Sequence, residues 1–178
     1  IRMPHQTAGG NQVPSGMNLQ EAMRSKAFWL LFGICAIAGP SLFFPFAHLI
    51  QFARDQGVEE VRAVSTIGLI GVGSIAGRFL IGFFADRYGR LVSMGASNAM
   101  LAASLFIWLC DPGWMGLALF ALWFGIAYGS IVALFPPICM DFFGARAVTG
   151  ILGLVYSGAG LGNLLGPVGA GALFDRYG

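Results

Sequence analysis

The chain has 178 residues, 57% of them hydrophobic and 10% charged, with a formal net charge of +2 and a mean hydropathy of +0.76. A soluble domain carries about 25% charge, so an ordinary soluble fold is excluded, and a charge this small and unclustered excludes a nucleic-acid surface. Cys35, Cys110 and Cys139 have no metal-ligand spacing, and no catalytic constellation occurs, so no metal, no cofactor and no enzyme is expected.

Residues 1–26 are polar at first, with Gly9-Gly10, Pro14 and Gly16, and contain no apolar run. They read as a linker leading into a short amphipathic stretch from Leu19 to Lys26, not as a signal peptide. The chain does not start with Met and stops at Gly178, where a further span is expected, so it reads as a fragment of a longer polypeptide. Five apolar runs follow, at 27–50, 63–85, 91–110, 114–138 and 147–174. Each is long enough to cross a bilayer, which takes roughly 17–25 helical residues. None alternates as a membrane strand would. The expected fold class is an all-α membrane protein with five transmembrane helices.

The first run carries Phe44-Pro45 and, near its end, His48, the one candidate proton site. The second holds a single charge, Arg78, about 6 Å past its midpoint, with Asp86 about 12 Å further along. A charge at that depth is expensive and faces a cavity or a partner, and the guanidinium fork matches a carboxylate. Ser74 lies one turn before it. The stretch Gly71-Val72-Gly73-Ser74-Ile75-Ala76-Gly77 imitates a dinucleotide fingerprint, but that motif needs a preceding strand, and this one sits inside a span. The fourth run brings Tyr128, Ser130 and Phe135-Pro136. The fifth brings Tyr156 and Asn163, and glycines at 158, 162 and 166 that form a face for close packing.

The chain also repeats itself. Asp86-Arg87-Tyr88-Gly89 recurs as Asp175-Arg176-Tyr177-Gly178, and the same 89-residue shift carries Gly71, Gly73, Gly77 and Gly82 onto Gly160, Gly162, Gly166 and Gly171. With a short gap, Arg62-Ala63-Val64 matches Arg146-Ala147-Val148, and Phe44-Pro45 and Phe135-Pro136 read as matching kink points. Each unit takes in three spans, the first complete and the second with two before the chain ends. Three is odd, so the second unit enters the membrane inverted, as in secondary transporters. With the N-terminus inside, the inner segments hold Arg2, Arg24, Lys26, Arg87, Arg90 and Arg146, and the outer ones Arg54, Arg62 and Arg176. That asymmetry predicts an inner 86–90 loop and an outer 51–62 loop.

Gly82-Phe83-Phe84-Ala85-Asp86-Arg87-Tyr88-Gly89-Arg90 resembles the signature loop of the major facilitator superfamily, Gly-x-x-x-Asp-Arg-x-Gly-Arg, with Leu91 where a second basic residue is usual. Gly82 would allow close helix approach, Gly89 a positive φ, and Asp86, Arg87 and Arg90 pairing across the two halves of a transporter. The resemblance covers residues 17–178, as helices seven to eleven of twelve, with residues 1–26 as central cytoplasmic loop and lead-in. Leu19-Gln20-Glu21-Ala22, Phe28-Trp29-Leu30-Leu31, Phe52-Ala53-Arg54-Asp55-Gln56-Gly57, Gly77-Arg78 and Leu165-Gly166-Pro167 are similar to the monocarboxylate and oxalate/formate branch.

That resemblance implies secondary transport of a small organic anion, a monocarboxylate above others, by alternating access in a plasma or bacterial inner membrane. The implied partners are the substrate, the lipid bilayer and a missing N-terminal half. Arg78 would hold the carboxylate, with Ser74, Tyr128, Tyr156 and Asn163 shaping the cavity. Animal members have an acid where Ser74 stands, and oxalate-type members a lysine in the fifth span, where this chain has no cation. Asn98 is set aside, because the family places the third span peripherally. Two alternatives stay open. One is a facilitator of another solute, such as a sugar or drug, with Arg78 structural; the other is a non-transporting receptor or scaffold of the same fold.

Overall fold

The computed structural model describes residues 16–110 and 113–177, with side chains for all of these except 167–175 and 177. The linker reading of residues 1–15, the turn at 111–112, the side chains of Pro167 and Asp175, and Gly178 lie outside the described residues. Six helices account for nearly all the rest: α1 (Leu19–Arg24), α2 (Lys26–Asp55), α3 (Glu60–Tyr88), α4 (Arg90–Cys110), α5 (Trp114–Phe143) and α6 (Val148–Tyr177). Five of them are long and apolar enough to cross a membrane. Each extends past the apolar run that announces it. In α2 the polar turn Gln51–Asp55 stays helical, because backbone hydrogen bonding does not end where hydropathy falls.

Local chemistry sets the breaks. Asn18 caps α1: its side chain accepts from the Glu21 N–H, and the Glu21 carboxylate accepts from the Asn18 N–H, both at 2.8 Å. The amphipathic stretch stops at Arg24, short of Lys26, because Ser25 turns to an extended conformation and caps α2 through the Phe28 N–H. Ahead of α1, the Met17 N–H donates to the Phe143 carbonyl at 2.8 Å, one of the orphan acceptors at the end of α5. The α3–α4 junction turns on Gly89, at φ +88°, a conformation that costs glycine little.

The helices pack as two related pairs. α5 is the central element: 56% of its most apolar window is buried, against 17–28% for the other four. It packs chiefly on α3 and α4, while α2 packs on α6. In both pairs the crossing is backbone on backbone, made possible by glycine. A Cβ on Gly73 would lie 2.5 Å from the Leu122 carbonyl oxygen, and one on Gly129 would overlap the Ser74 carbonyl. On the other pair, a Cβ on Gly158 would lie 2.6 Å from the Phe32 carbonyl oxygen, and one on Gly39 2.8 Å from that of Ala159. The expected small-residue face of the fifth span is therefore the surface on which α6 meets α2. Lipid is as apolar as leucine, so such contacts associate through close packing, not through the hydrophobic effect.

These contacts carry the repeat. In one pair Ile70 meets Gly125, Gly73 meets Leu122 and Gly77 meets Ile126; in the other Ala159 meets Gly39, Gly162 meets Ala36 and Gly166 meets Pro40. The 89-residue shift carries α3 onto α6 contact by contact. A shift of 86 carries α2 onto α5, taking Ala36 to Leu122, Gly39 to Gly125 and Pro40 to Ile126. Under that register Pro45 corresponds to Ile131, not Pro136, so the two Phe-Pro steps are not equivalent kinks. Along each ridge the numbers rise together, from Gly73–Leu122 to Gly77–Ile126 and from Ala36–Gly162 to Pro40–Gly166, so α3 runs parallel to α5 and α2 to α6. The short 56–59 turn makes α2 and α3 antiparallel. Tyr88 and Tyr177 therefore end helices that run in opposite directions, as an inverted repeat requires.

Candidate functional site

The signature loop closes α3 and opens α4. Arg90 reaches across to α5, where its Nη1 donates to the Asp141 carboxylate at 2.6 Å and to the Pro137 carbonyl at 3.4 Å. It thus pairs within the described helices. Arg87 lies over the Tyr88 ring, 5.8 Å from its centroid. Asp86 is exposed and has no ion-pair partner among the described residues. A Cβ on Gly82 would meet nothing within 4 Å, so the close approach expected there is not made by any described helix.

Arg78, Gly82 and Asp86 follow one another at four-residue steps and share one exposed stripe of α3. Arg78 lies ten residues before the end of α3, about 15 Å along the axis. It is exposed, with the exposed apolar side chains Ile75, Phe79 and Leu80 around it, and has no hydrogen-bond or ion-pair partner among the described residues. A charge at such depth is costly in a bilayer unless it is paired or faces a cavity. Ser74, one turn earlier at the same four-residue step, is covered by a neighbouring helix where Arg78 is not. It is buried where α3 crosses α5, its carbonyl against Gly129. Ser130 works in the same seam, its hydroxyl near the Gly77 carbonyl at 3.2 Å and the Ile126 carbonyl at 2.8 Å.

The other three cavity residues do come together. α2, α4, α5 and α6 enclose a cavity of about 490 Å³ with Tyr128, Tyr156 and Asn163 in its wall. Tyr156 stacks on Phe135 at 5.1 Å, and Tyr128 lies parallel to Phe124 at 6.1 Å with the Phe46 edge against it. Leu31, Ile34 and Ile131 supply apolar wall. No α3 residue lines this space, so neither Arg78 nor Ser74 shares it. Asn98 of α4 does, its amide nitrogen donating to the Met94 carbonyl at 2.8 Å. Sequence reasoning set Asn98 aside as peripheral; an amide inside an apolar span was the signal that pointed to it. His48 lies elsewhere, exposed near the end of α2 with its ring tilted against that of Phe44, 4.5 Å between centroids. It shares a further cavity, of about 570 Å³, with Asn163.

Comparison with known proteins bears on this arrangement. The sequence profile of the Major Facilitator Superfamily matches residues 29–178. Among curated relatives, Monocarboxylate transporter 3 of Gallus gallus is 31% identical over 140 residues, which is 75% of this chain and 26% of that protein. Monocarboxylate transporter 12-B of Danio rerio is 28% identical over 169 residues, 89% of this chain and 35% of the relative. The MFS-type transporter pytF of Aspergillus terreus is 33% identical over 89 residues, half of this chain and 29% of its own. The chain thus spans about a quarter to a third of the length of these relatives.

Proposed function

Because this chain belongs to the major facilitator superfamily, as an integral membrane protein resembling its monocarboxylate branch, we propose that it is part of a secondary transporter that moves a small organic anion, a monocarboxylate above others. Transport proceeds by alternating access, and Arg78 holds the carboxylate. One observation carries this reading: a guanidinium deep in a span, exposed, and unpartnered among the described residues. Leaving such a charge unpaired in the bilayer is costly. A bidentate carboxylate would neutralise it and match its geometry. The relatives named as monocarboxylate transporters support the substrate class.

The cavity between α2, α4, α5 and α6 does not include Arg78, and it lines the path of the solute away from that anchor. Its apolar wall is interrupted by Tyr128, Tyr156, Asn163 and Asn98, which orient a ligand without adding charge. Ser74 acts through the α3–α5 seam, holding the helix that carries Arg78. The exposed stripe of Arg78, Gly82 and Asp86 faces the rest of the polypeptide, so the signature loop takes part in the movement between halves. His48, near the end of α2 and away from Arg78, is the candidate for proton coupling.

Uptake by the full-length protein across a panel of labelled monocarboxylates, dicarboxylates, sugars and neutral drugs tests this. Monocarboxylates should be taken up, with Tyr156→Phe and Asn163→Ala changing the ranking among them. Uptake of sugars or neutral drugs alone would assign another solute and leave Arg78 structural. An Arg78→Gln protein that fails to accumulate in the membrane would point to a structural ion pair.

A further inference from the structure

At the end of the bundle that holds the 56–59 turn, α2 and α4 part to leave a separate cavity of about 700 Å³. It shares no lining residue with the four-helix cavity. One wall is aromatic: the Trp108 ring lies 5.9 Å from Phe44 and 5.4 Å from Phe52, centroid to centroid. The rim is polar, with His48, Gln51 and Asp55. Its α4 side is aliphatic, with Leu109 79% exposed, the kind of surface that an acyl chain covers in a bilayer.

The charge on this rim is out of balance. The nearby acids Glu60 and Glu59 each have an arginine, Arg54 and Arg62 respectively. Asp55 has only the Gln51 amide, at 2.8 Å, and no cationic partner among the described residues. It is also the last residue of α2, where the negative end of the helix dipole disfavours an acid. A carboxylate kept without a counter-ion, beside aromatic faces that attract cations, marks a place for a positive group. The exposed aliphatic side marks a place for a chain attached to it.

We propose that this cavity binds the ammonium headgroup of a membrane phospholipid, of ethanolamine or choline type, with the acyl chains running along Leu105 and Leu109. The site is independent of the substrate anchor at Arg78. Asp55 supplies the charge, the Phe44, Phe52 and Trp108 wall supplies the π surface, and α4 supplies the apolar track.

Native mass spectrometry of the full-length protein tests the assignment, using phosphatidylethanolamine, phosphatidylcholine and phosphatidylglycerol of identical acyl chains. The ammonium lipids should be retained about tenfold more tightly than phosphatidylglycerol, the scale of a desolvated cation contact. Asp55→Asn should abolish that preference while the protein still accumulates in the membrane, since the substituted side chain is exposed. Trp108→Leu should weaken it. Equal retention of the three lipids, or a preference that survives Asp55→Asn, would overturn the proposal. So would tetramethylammonium binding as tightly as the lipids, which would make the occupant a soluble cation.

Discussion

A methyl group at position 129 has nowhere to go. Gly129 sits against the Ser74 carbonyl, backbone to backbone, and neither helix can yield without opening the α3–α5 seam. Gly129→Ala should therefore lower stability by about 1–3 kcal/mol, the usual cost of overpacking. Thermal unfolding of the purified full-length protein would read it. Gly95→Ala, where a Cβ meets nothing within 4 Å, should be neutral or slightly stabilising, because alanine favours a helix over glycine by about 0.5–1 kcal/mol. At this scale the sequence was informative about charge and poor about direction. Arg78 stood out because a lone charge in a span is costly wherever it points. Ser74 and Arg78 are one turn apart, yet one is buried in a seam and the other exposed; which way each faces depends on neighbours that no local spacing encodes.

At the scale of elements, the α3–α4 junction is tied to the end of α5 by Arg90 and Asp141, both about half exposed. An exposed pair of this kind is worth about 0–1 kcal/mol. A double-mutant cycle over Arg90→Ala and Asp141→Ala should give a coupling energy of under about 1 kcal/mol in thermal unfolding. Coupling of several kcal/mol would mean that the pair is desolvated in the complete protein. The apolar runs announced the five long helices, because burial in lipid demands both length and hydropathy. Their ends were less legible: the start of α2 is set by the Ser25 hydroxyl accepting from the Phe28 N–H, and the helical turn at 51–55 by backbone hydrogen bonds. The expected match of Pro45 with Pro136 did not hold, because the α2-to-α5 register follows glycine contacts, not prolines.

At the scale of the whole molecule, the duplicated Asp-Arg-Tyr-Gly pattern was the deepest information in the chain. It announced an inverted repeat, and two parallel helix pairs related contact by contact carry it. The four-helix cavity was only partly legible: Tyr128, Tyr156 and Asn163 were marked by polarity, while Asn98 joins them through the packing of α4. Orientation can be checked directly. In the full-length protein in cells, Tyr88→Cys should react with a membrane-impermeant maleimide only after permeabilisation, and Gln56→Cys without it. External labelling at 88 would reverse the assigned orientation.

The central claim is that Arg78 holds the substrate carboxylate, and equilibrium binding of a labelled monocarboxylate to the purified full-length protein tests it most directly. Lysine keeps the charge but loses the two-point geometry, whereas glutamine loses both. A desolvated charge-assisted bond is worth about 1.5–3 kcal/mol, or roughly ten- to a hundredfold in affinity. Arg78→Lys should weaken binding about tenfold and Arg78→Gln about a hundredfold, with both proteins accumulating normally in the membrane. Wild-type affinity in an Arg78→Gln protein would contradict the claim.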